Sequence, residues 1–259
     1  MDGCDQAVGC FTQGKFMKHI HRFFVSKKLT AGSSVCLDED DSFHAVRVLR
    51  LKPGDALELV DPDGCVFEAE VTGGDGTIEA MPLREIESKN PVAGPALTVV
   101  QVLPSGRKMD LIVEKLSELG VARLLPVFSE KSVARPAGGD GKLQRWRRIA
   151  RSAAAQSKRV NVMQVEEPVA LGCLLEDKPG PFYVLSTEVQ GKPLGDAMTD
   201  DGKPVMLVAG PEAGFSDAEI DRLGAAGAVF MSLGPHVLRA ETASIVAVAL
   251  VLHRLGELG

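Results

Sequence analysis

The chain has 259 residues, of which 45% are hydrophobic and 25% charged, a composition that is ordinary for a globular protein with a sizeable core. None of the five cysteines lies in a CxxC pair or near a histidine at ligand spacing, which argues against a metal site or a disulfide framework. No apolar run reaches the length of a membrane span, and the first 16 residues lack the apolar core of a signal peptide, so we expect a cytoplasmic protein with no membrane partner.

The net charge is −6, but the basic residues are unevenly distributed. Residues 103–160 carry 13 Lys and Arg against 5 Asp and Glu, whereas the segments on either side are acidic. A basic band on an acidic body is typical of a protein that meets phosphates at one face. A solvated basic helix without a partner gives the same count, and charge alone does not separate the two interpretations.

The N-terminal part of the chain has the short alternating segments of a small β-barrel. Residues 1–16 show no periodicity, and we expect them to form an extension without fixed structure. Strands are predicted at 22–25, 56–60, 66–71 and 77–80. A helical turn is predicted between them at 41–51, and a Pro- and Gly-containing linker at 89–95. The sequence therefore predicts a barrel domain over residues 17–90.

From residue 95 onward, buried strands alternate with helices, which predicts an α/β domain with a mainly parallel sheet. Strands are predicted at 96–103, 122–128, 182–185, 205–209 and 228–233. Helices are predicted at 109–119, 142–158, 216–223 and 242–255. Gly120 is expected to end the first helix, and Ser216 with Glu219 to form a capping box on the third. Trp146 shares helical spacing with Ile149, which favours core packing over base stacking.

Two Gly-Pro loops follow buried strands near the end of the chain, at 209–215 and 233–242. Ligands of open α/β sheets bind beyond the carboxyl ends of the strands, where Gly-Pro turns expose backbone N–H and C=O groups. Such loops could hold an adenine edge through the main chain. Each could also be a tight strand-to-helix turn, although the GxGxxG and GxxxxGK[ST] motifs are both missing.

Five ordered motifs resemble those of the ribosomal small-subunit methyltransferase E family. Two are the loops, with Gly-Pro-Glu-Ala-Gly at 210–214 and Leu-Gly-Pro-His-Val-Leu-Arg-Ala-Glu-Thr at 233–242. The others are the His-to-Arg segment at 44–50, a central block at 108–110, 114–121 and 126–130, and a basic helix at 146–150 and 154–159. Any one motif is weak, but five in order over residues 17–259 are specific.

The resemblance implies a PUA-like β-barrel followed by a SPOUT-type α/β knot domain over residues 95–259, whose C-terminal chain forms a trefoil knot. No sequence pattern shows the knot itself. The resemblance also implies S-adenosylmethionine as the methyl donor and N3 of a uridine in 16S rRNA of the small ribosomal subunit as the acceptor. It further implies a homodimer with the active site at the subunit interface, to which the apolar helix at 242–252 would contribute.

The resemblance and the loop positions together yield candidate site residues. We expect the cofactor to contact Leu185, Thr187, Gly210, Pro211, Glu212, Gly214, Leu233, Gly234, Val237, Leu238, Arg239 and Thr242. Arg239 is expected to stabilise the developing uridine anion, with Glu241 or Glu212 orienting it or acting as base. Glu241 could instead be a helix N-terminal carboxylate that complements the dipole. The expected RNA contacts are Arg22, His44, Arg47, Arg50, Lys108, Arg147, Arg148, Gln156 and Arg159.

Four positions depart from the family's usual pattern. Ala213 replaces a Gly, His236 an Arg, Ala240 a frequent Thr and Ala155 a Glu. The lost side chains could weaken contacts with the donor or the RNA, while backbone contacts could survive.

Two other functions stay open at this stage. A ribose 2′-O-methyltransferase would share the fold, although the segment at 44–50 and the barrel favour base modification. A non-catalytic RNA-binding assembly factor is conceivable because of Ala213 and His236, and its failure to bind the donor would distinguish it from an enzyme.

Overall fold

The computed structural model describes residues 20–74, 76–86, 96–132, 141–175, 182–198 and 202–259, which form two sheets with flanking helices. The extension predicted at 1–16 and the linker predicted at 89–95 lie outside the described residues. Each sheet has its own hydrophobic core. No helix among the described residues is long and apolar enough to cross a bilayer.

The first sheet is a curled half-barrel. Its strands are β1 His21–Phe24, β2 Val35–Cys36, β3 Ala56–Val60, β4 Val66–Gly73 and β5 Glu79–Ile86. They are ordered β1-β3-β4-β5-β2, with β1 and β3 parallel and the other pairs antiparallel. In β3, Leu57 and Leu59 are fully buried while Glu58 points to the other face, as strand alternation requires. Among the described strands, the edge strands β1 and β2 do not pair, so the predicted barrel is not closed.

A short helix and a π-helical segment interrupt this sheet. Helix α1, Glu39–Phe43, begins at Asp38, whose side chain accepts a hydrogen bond from the backbone N–H of Asp41. The π-helical segment His44–Val48 follows directly. The helical turn predicted at 41–51 is therefore present, and it starts two residues earlier than predicted.

The second sheet has eight strands, all parallel. They are β6 Leu97–Val102, β7 Arg123–Phe128, β8 Gln164–Val165, β9 Val169–Ala170, β10 Phe182–Leu185, β11 Lys192–Pro193, β12 Val205–Ala209 and β13 Val229–Ser232. The order is β11-β13-β10-β12-β6-β7-β8, and β9 also pairs with β7. Every residue of β6, β10 and β12 is buried, because helices or loops cover both faces of a parallel sheet.

Five α-helices and a 3-10 turn connect these strands. They are α2 Lys108–Leu119, α3 Gly141–Gln156, the 3-10 turn Leu171–Leu175, α4 Leu194–Ala197, α5 Asp217–Ala225 and α6 Ala240–Arg254. Gly120 ends α2 in the left-handed region at φ 100°, and Ser216 with Glu219 forms the capping box of α5, as predicted. Trp146 is buried in the core of the second sheet, which confirms its packing role.

Helix α3 belongs to the second sheet but also packs against the first. Phe24, Val60 and Val66 of the half-barrel share a buried cluster with Ala154 of α3. Arg151 of α3 donates to the Asp41 carboxylate at 2.7 Å and lies 5.8 Å from the centre of the Phe24 ring. These contacts hold the half-barrel against helix α3. Ala155, where the family pattern has Glu, packs against the same cluster.

Candidate active site

A crevice opens at the carboxyl edge of the parallel sheet, between the loops that follow β10, β12 and β13. It encloses about 730 Å³, including space open to solvent. The three loops meet because β10 pairs with both β12 and β13, so neighbouring parallel strands end side by side. Residues 185–188, 209–212, 214–215, 231–234 and 236–238, with Ala240 and Ala243, form its lining.

The structure brings ten of the twelve predicted cofactor residues to this lining. They are Leu185, Thr187, Gly210, Pro211, Glu212, Gly214, Leu233, Gly234, Val237 and Leu238. The other two, Arg239 and Thr242, lie at the start of α6, just beyond the lining. Ser186, Glu188, Met231, Ser232 and His236 also line the crevice and were not predicted. These residues follow or end the predicted strands β10 and β13, and that position in the sequence could have identified them as lining residues.

Two glycines of the first Gly-Pro loop are required by close contacts. A Cβ on Gly210 would lie 2.9 Å from the Phe215 ring. Gly214 has φ +69°, and a Cβ there would overlap the Glu188 carboxylate. Ala213 between them is exposed and does not belong to the lining, so its methyl group leaves the crevice open.

Two of the departures from the family pattern, His236 and Ala240, lie in the second Gly-Pro loop, and neither closes the crevice. His236 is exposed and lines it, whereas Ala240 is buried in its wall at the first residue of α6.

Lys108, which we predicted to contact RNA, instead joins two carboxylates beside the crevice. Its Nζ lies 2.8 Å from an oxygen of Glu212 and 3.6 Å from an oxygen of Glu241. Ser105 donates a further hydrogen bond to Glu212 at 3.1 Å. Lys108 is the first residue of α2 and Glu241 lies in the first turn of α6, so this ion-pair cluster ties both helix starts to the loop after β12.

The ion pair keeps Glu212 and Lys108 charged. Partial burial acts to raise the pKa of Glu212, but hydrogen bonds from Lys108, its own backbone N–H and Ser105 outweigh that effect and hold the pKa below its ordinary value. The hydrogen bond to Glu212 raises the pKa of Lys108. Glu212 is therefore a weak base near neutral pH.

Glu241 has a different environment from Glu212. Its side chain is 13% exposed, and its buried Oε2 atom has no hydrogen-bond partner among the described residues. Its position in the first turn also complements the helix dipole, as the alternative interpretation expected.

Arg239 does not contact either glutamate. It is the N-cap residue of α6, its side chain is exposed, and no described residue forms a hydrogen bond or ion pair with it. The expectation that Glu212 or Glu241 orients Arg239 is not met, because Lys108 pairs with both carboxylates. Arg239 therefore offers, at the start of α6 and next to the crevice, a guanidinium with no hydrogen-bond or ion-pair partner among the described residues.

The predicted RNA contacts separate into exposed and engaged side chains. His44, Arg47, Arg50, Arg148 and Gln156 are exposed, and Arg147, although exposed overall, donates a hydrogen bond to the Val165 carbonyl at 3.0 Å. Arg22 is a correction: its side chain is 9% exposed, and it bonds Glu58 at 2.8 Å and the Arg159 carbonyl at 3.0 Å. It holds the half-barrel to the end of α3. Arg159 packs against Gly120, and burial lowers the pKa of its guanidinium.

An exposed aromatic residue that the sequence analysis missed lies beside the basic segment. Phe43 is 64% exposed and Val48 60%, on either side of His44 and Arg47. Arg151 of α3 bonds Asp41, which lies just before Phe43. Arg148 is three residues before Arg151 on the same helix, so the exposed Arg148 and the segment at 44–50 belong to neighbouring elements. The aromatic ring of Phe43 next to the basic residues His44 and Arg47 could have indicated an RNA contact from the sequence.

Comparison with known proteins identifies both parts of the chain. Residues 92–252 match an RNA methyltransferase domain and residues 37–80 an RNA methyltransferase PUA domain. The chain is 34% identical over 240 residues to ribosomal RNA small subunit methyltransferase E of Mycobacterium bovis, covering 88% of this chain and 90% of that protein. The chain belongs to the ribosomal RNA small subunit methyltransferase E family.

Solved structures agree with this assignment to the methyltransferase E family. The enzyme of that name from Neisseria gonorrhoeae, bound to S-adenosylmethionine, has a TM-score of 0.83 and 31% identity, covering 91% of this chain and 98% of that one. A Legionella pneumophila methyltransferase in complex with the same cofactor has a TM-score of 0.85 and 26% identity, covering 92% and 98%. The half-barrel is thus a PUA-like domain, and the parallel sheet is of the SPOUT type. The trefoil knot stays a prediction.

Proposed function

We propose that this protein transfers a methyl group from S-adenosylmethionine to N3 of a uridine in 16S rRNA of the small ribosomal subunit. The observation that carries the proposal is the three-loop crevice with Arg239 beside it, whose guanidinium has no partner in the part of the chain that the structure describes. The family membership supports it, as do two similar structures solved with S-adenosylmethionine. A ribosomal substrate places the protein in the cytoplasm.

The crevice fits the cofactor's chemistry. Leu185, Met231 and Leu233 give it an apolar wall for a flat adenine, and the two Gly-Pro loops present backbone groups for the polar edge. Its glycines leave open the space that side chains would fill. When bound there, S-adenosylmethionine supplies an electrophilic methyl group on a sulfonium.

The acceptor atom explains the residues beside the crevice. N3 lies on the Watson–Crick edge of uracil, so the base must be unpaired or flipped out to reach the site. As the N3–methyl bond forms and the sulfur–methyl bond breaks, the N3 proton must leave. Arg239 stabilises the anion that develops on the base, through a guanidinium that no described side chain occupies.

The proton acceptor that fits best is Glu241. Its buried Oε2 has no hydrogen-bond partner among the described residues, and its ion pair with Lys108, at 3.6 Å, is longer than the 2.8 Å pair of Glu212. Glu212 is less suited, since Lys108 and Ser105 already donate to its carboxylate and its pKa is lowered. Lys108 then acts as a positioning residue that holds both carboxylates.

The exposed basic groups give the RNA a docking face. His44, Arg47 and Arg50 of the half-barrel and Arg148 of α3 contact phosphates, and Phe43 stacks on an unpaired base. Phosphate contacts position the RNA, while stacking on an exposed ring needs the single-stranded bases that N3 methylation also requires.

The protein acts as a homodimer. Helix α6 is apolar on nearly all sides, yet on one face the described residues leave Val246 and Ala249 only half-buried and Leu250 exposed. Leu250 is 43% exposed. Such exposure is unfavourable, because a helix that is apolar on all sides is normally buried. A second copy covers this face.

Methylation in vitro tests the proposal. Small subunits from a strain without the modification are incubated with purified protein and S-adenosylmethionine, and the rRNA nucleosides are analysed by mass spectrometry. We expect 3-methyluridine. 2′-O-methyluridine would support the ribose-modifying alternative, and cofactor binding without any product would contradict the proposed activity.

A further inference from the structure

Glu188 places a carboxylate on the lining of the crevice, in the loop after β10. The Ser186 hydroxyl donates to it at 2.8 Å and the Thr187 hydroxyl at 3.2 Å, and the Thr187 backbone N–H lies 3.3 Å away. All of these donors are neutral. They hold the carboxylate in one place without cancelling its charge.

Gly214 provides the space for this carboxylate. It is buried, and a Cβ at that position would overlap the Glu188 oxygen. The first Gly-Pro loop therefore packs directly against Glu188, and the carboxylate lies between two of the three loops that form the crevice.

No described Lys, Arg or His forms an ion pair with Glu188. The other carboxylate of the lining, Glu212, is paired with Lys108 at 2.8 Å. Partial burial acts to raise the pKa of Glu188, but the hydrogen bonds from Ser186 and Thr187 outweigh it and lower the pKa, so the group is ionised at neutral pH. The crevice thus carries one anionic charge that the described residues leave unpaired.

We propose that Glu188 makes the crevice prefer the cationic cofactor S-adenosylmethionine over its neutral product, S-adenosylhomocysteine. The inference rests on the proposed function. The cofactor carries a sulfonium, an ammonium and a carboxylate, and loss of the methyl group turns the sulfonium into an uncharged thioether. A fixed anion on the lining of the crevice attracts the first species more strongly than the second, which favours release of the product.

Calorimetric titration of three ligands into the full-length protein tests this preference. The ligands are S-adenosylmethionine, S-adenosylhomocysteine and sinefungin, a methyl-donor analogue with an amine-bearing carbon instead of the sulfonium. Glu188→Gln keeps the side-chain shape and hydrogen-bond acceptor but removes the charge. We expect it to weaken both cationic ligands about tenfold and to leave S-adenosylhomocysteine within about twofold.

Two further variants serve as controls. Glu188→Asp keeps the charge and should keep most of the cation preference. Glu166→Gln removes a carboxylate that pairs with Arg123 after β8, outside the crevice lining, and should change none of the three affinities. Thermal melting of each variant shows that the fold is retained.

Equal loss of all three ligands in Glu188→Gln would overturn the inference, because Glu188 would then contact a group that they share, such as the ribose. Unchanged affinities would overturn it too. Wild-type protein that binds none of the three would instead contradict the proposed function.

Discussion

Arg239 is the residue on which the proposed chemistry most depends. It caps α6 through its backbone, while its guanidinium contacts no described residue. A guanidinium that serves only the developing anion should matter in the transition state and not in cofactor binding.

We therefore expect Arg239→Ala to lower the methyl-transfer rate by about 10²- to 10³-fold and to leave cofactor affinity within about twofold. Rates come from single-turnover assays and affinities from calorimetry. Arg254→Ala, an exposed arginine at the other end of α6, is the matched control and should keep wild-type activity. Normal turnover in Arg239→Ala would remove this residue from the mechanism.

Lys108 links Glu212 and Glu241. The shifted pKa values of Glu212 and Lys108 define the pH window in which their ion pair stabilises the fold. The lowered pKa of Glu212 means that the carboxylate stabilises the fold above its ordinary pKa and loses that contribution as pH falls through the lowered value. The raised pKa of Lys108 means that the ammonium stabilises below its ordinary pKa and loses that contribution as pH rises through the raised value.

We expect the difference in melting temperature between wild type and Lys108→Met to be constant from about pH 5 to about pH 9 and to shrink on either side. Differential scanning fluorimetry across pH measures it. Lys142→Met, an exposed lysine at the start of α3, should show no such window. A difference that vanishes near neutral pH would contradict the ion-pair cluster.

Helix α3 shows how one basic element serves two purposes. Its charge and period predicted an RNA-binding helix, but Arg151 binds Asp38 and Asp41 of the half-barrel at 2.9 and 2.7 Å. Burial raises the pKa of Asp41 despite the opposing effect of Arg151, so this carboxylate needs its cation. Sequence composition cannot show which arginines of a basic helix face protein and which face solvent.

Two alanine variants separate these roles. Arg151→Ala should lower the free energy of unfolding by about 1–3 kcal/mol, because it leaves a partly buried carboxylate unpaired. Arg148→Ala, one turn away and exposed, should change it by less than about 0.5 kcal/mol and instead reduce the salt dependence of RNA binding. Chemical denaturation and filter binding at several salt concentrations measure both. Reversed effects would contradict the assignment.

The exposed face of α6 gives a prediction about assembly. Leu250→Glu should convert the proposed dimer to a monomer with a cooperative unfolding transition, because it places a charge in the proposed interface but not in the core. Light scattering coupled to gel filtration measures the mass. Leu83→Glu alters a leucine of the half-barrel that is 45% exposed and should leave the mass unchanged. A dimeric Leu250→Glu variant would move the interface elsewhere.

Most of the longer elements were predictable and the short ones were not. The exception is β5, Glu79–Ile86, of which only the first two residues fall within the strand predicted at 77–80, because residues 83–85 are exposed and break the apolar alternation. Strands β6, β7, β10, β12 and β13 and the long helices lie within about two residues of their predicted positions, because each buries a continuous run or a stripe. The two-residue strands β2, β8, β9 and β11 are too short to carry a period, and neighbouring strands place them. Helix α6 starts at Ala240 rather than Thr242, since Arg239 ends the loop in an extended conformation.

At the scale of the molecule, the crevice depends on strand order, which no single segment encodes. Two Gly-Pro loops were recognisable in the sequence, but β12 lies between β10 and β6, and β13 lies on the far side of β10. That order places the loop after β10, which carries Glu188, beside the two Gly-Pro loops. Helix α3 then joins this sheet to the half-barrel, so the proposed RNA contacts at Phe43 and His44 are held at a set distance from the crevice.

In the proposed function the two parts of the chain act together: the docking face on the half-barrel delivers one unpaired uridine to the crevice that holds the methyl donor. Nucleoside mass spectrometry of 16S rRNA from a strain that lacks this gene tests this claim most directly. We expect 3-methyluridine to be absent and to return with the wild-type gene but not with Arg239→Ala. Undiminished 3-methyluridine in the deletion strain would contradict the account.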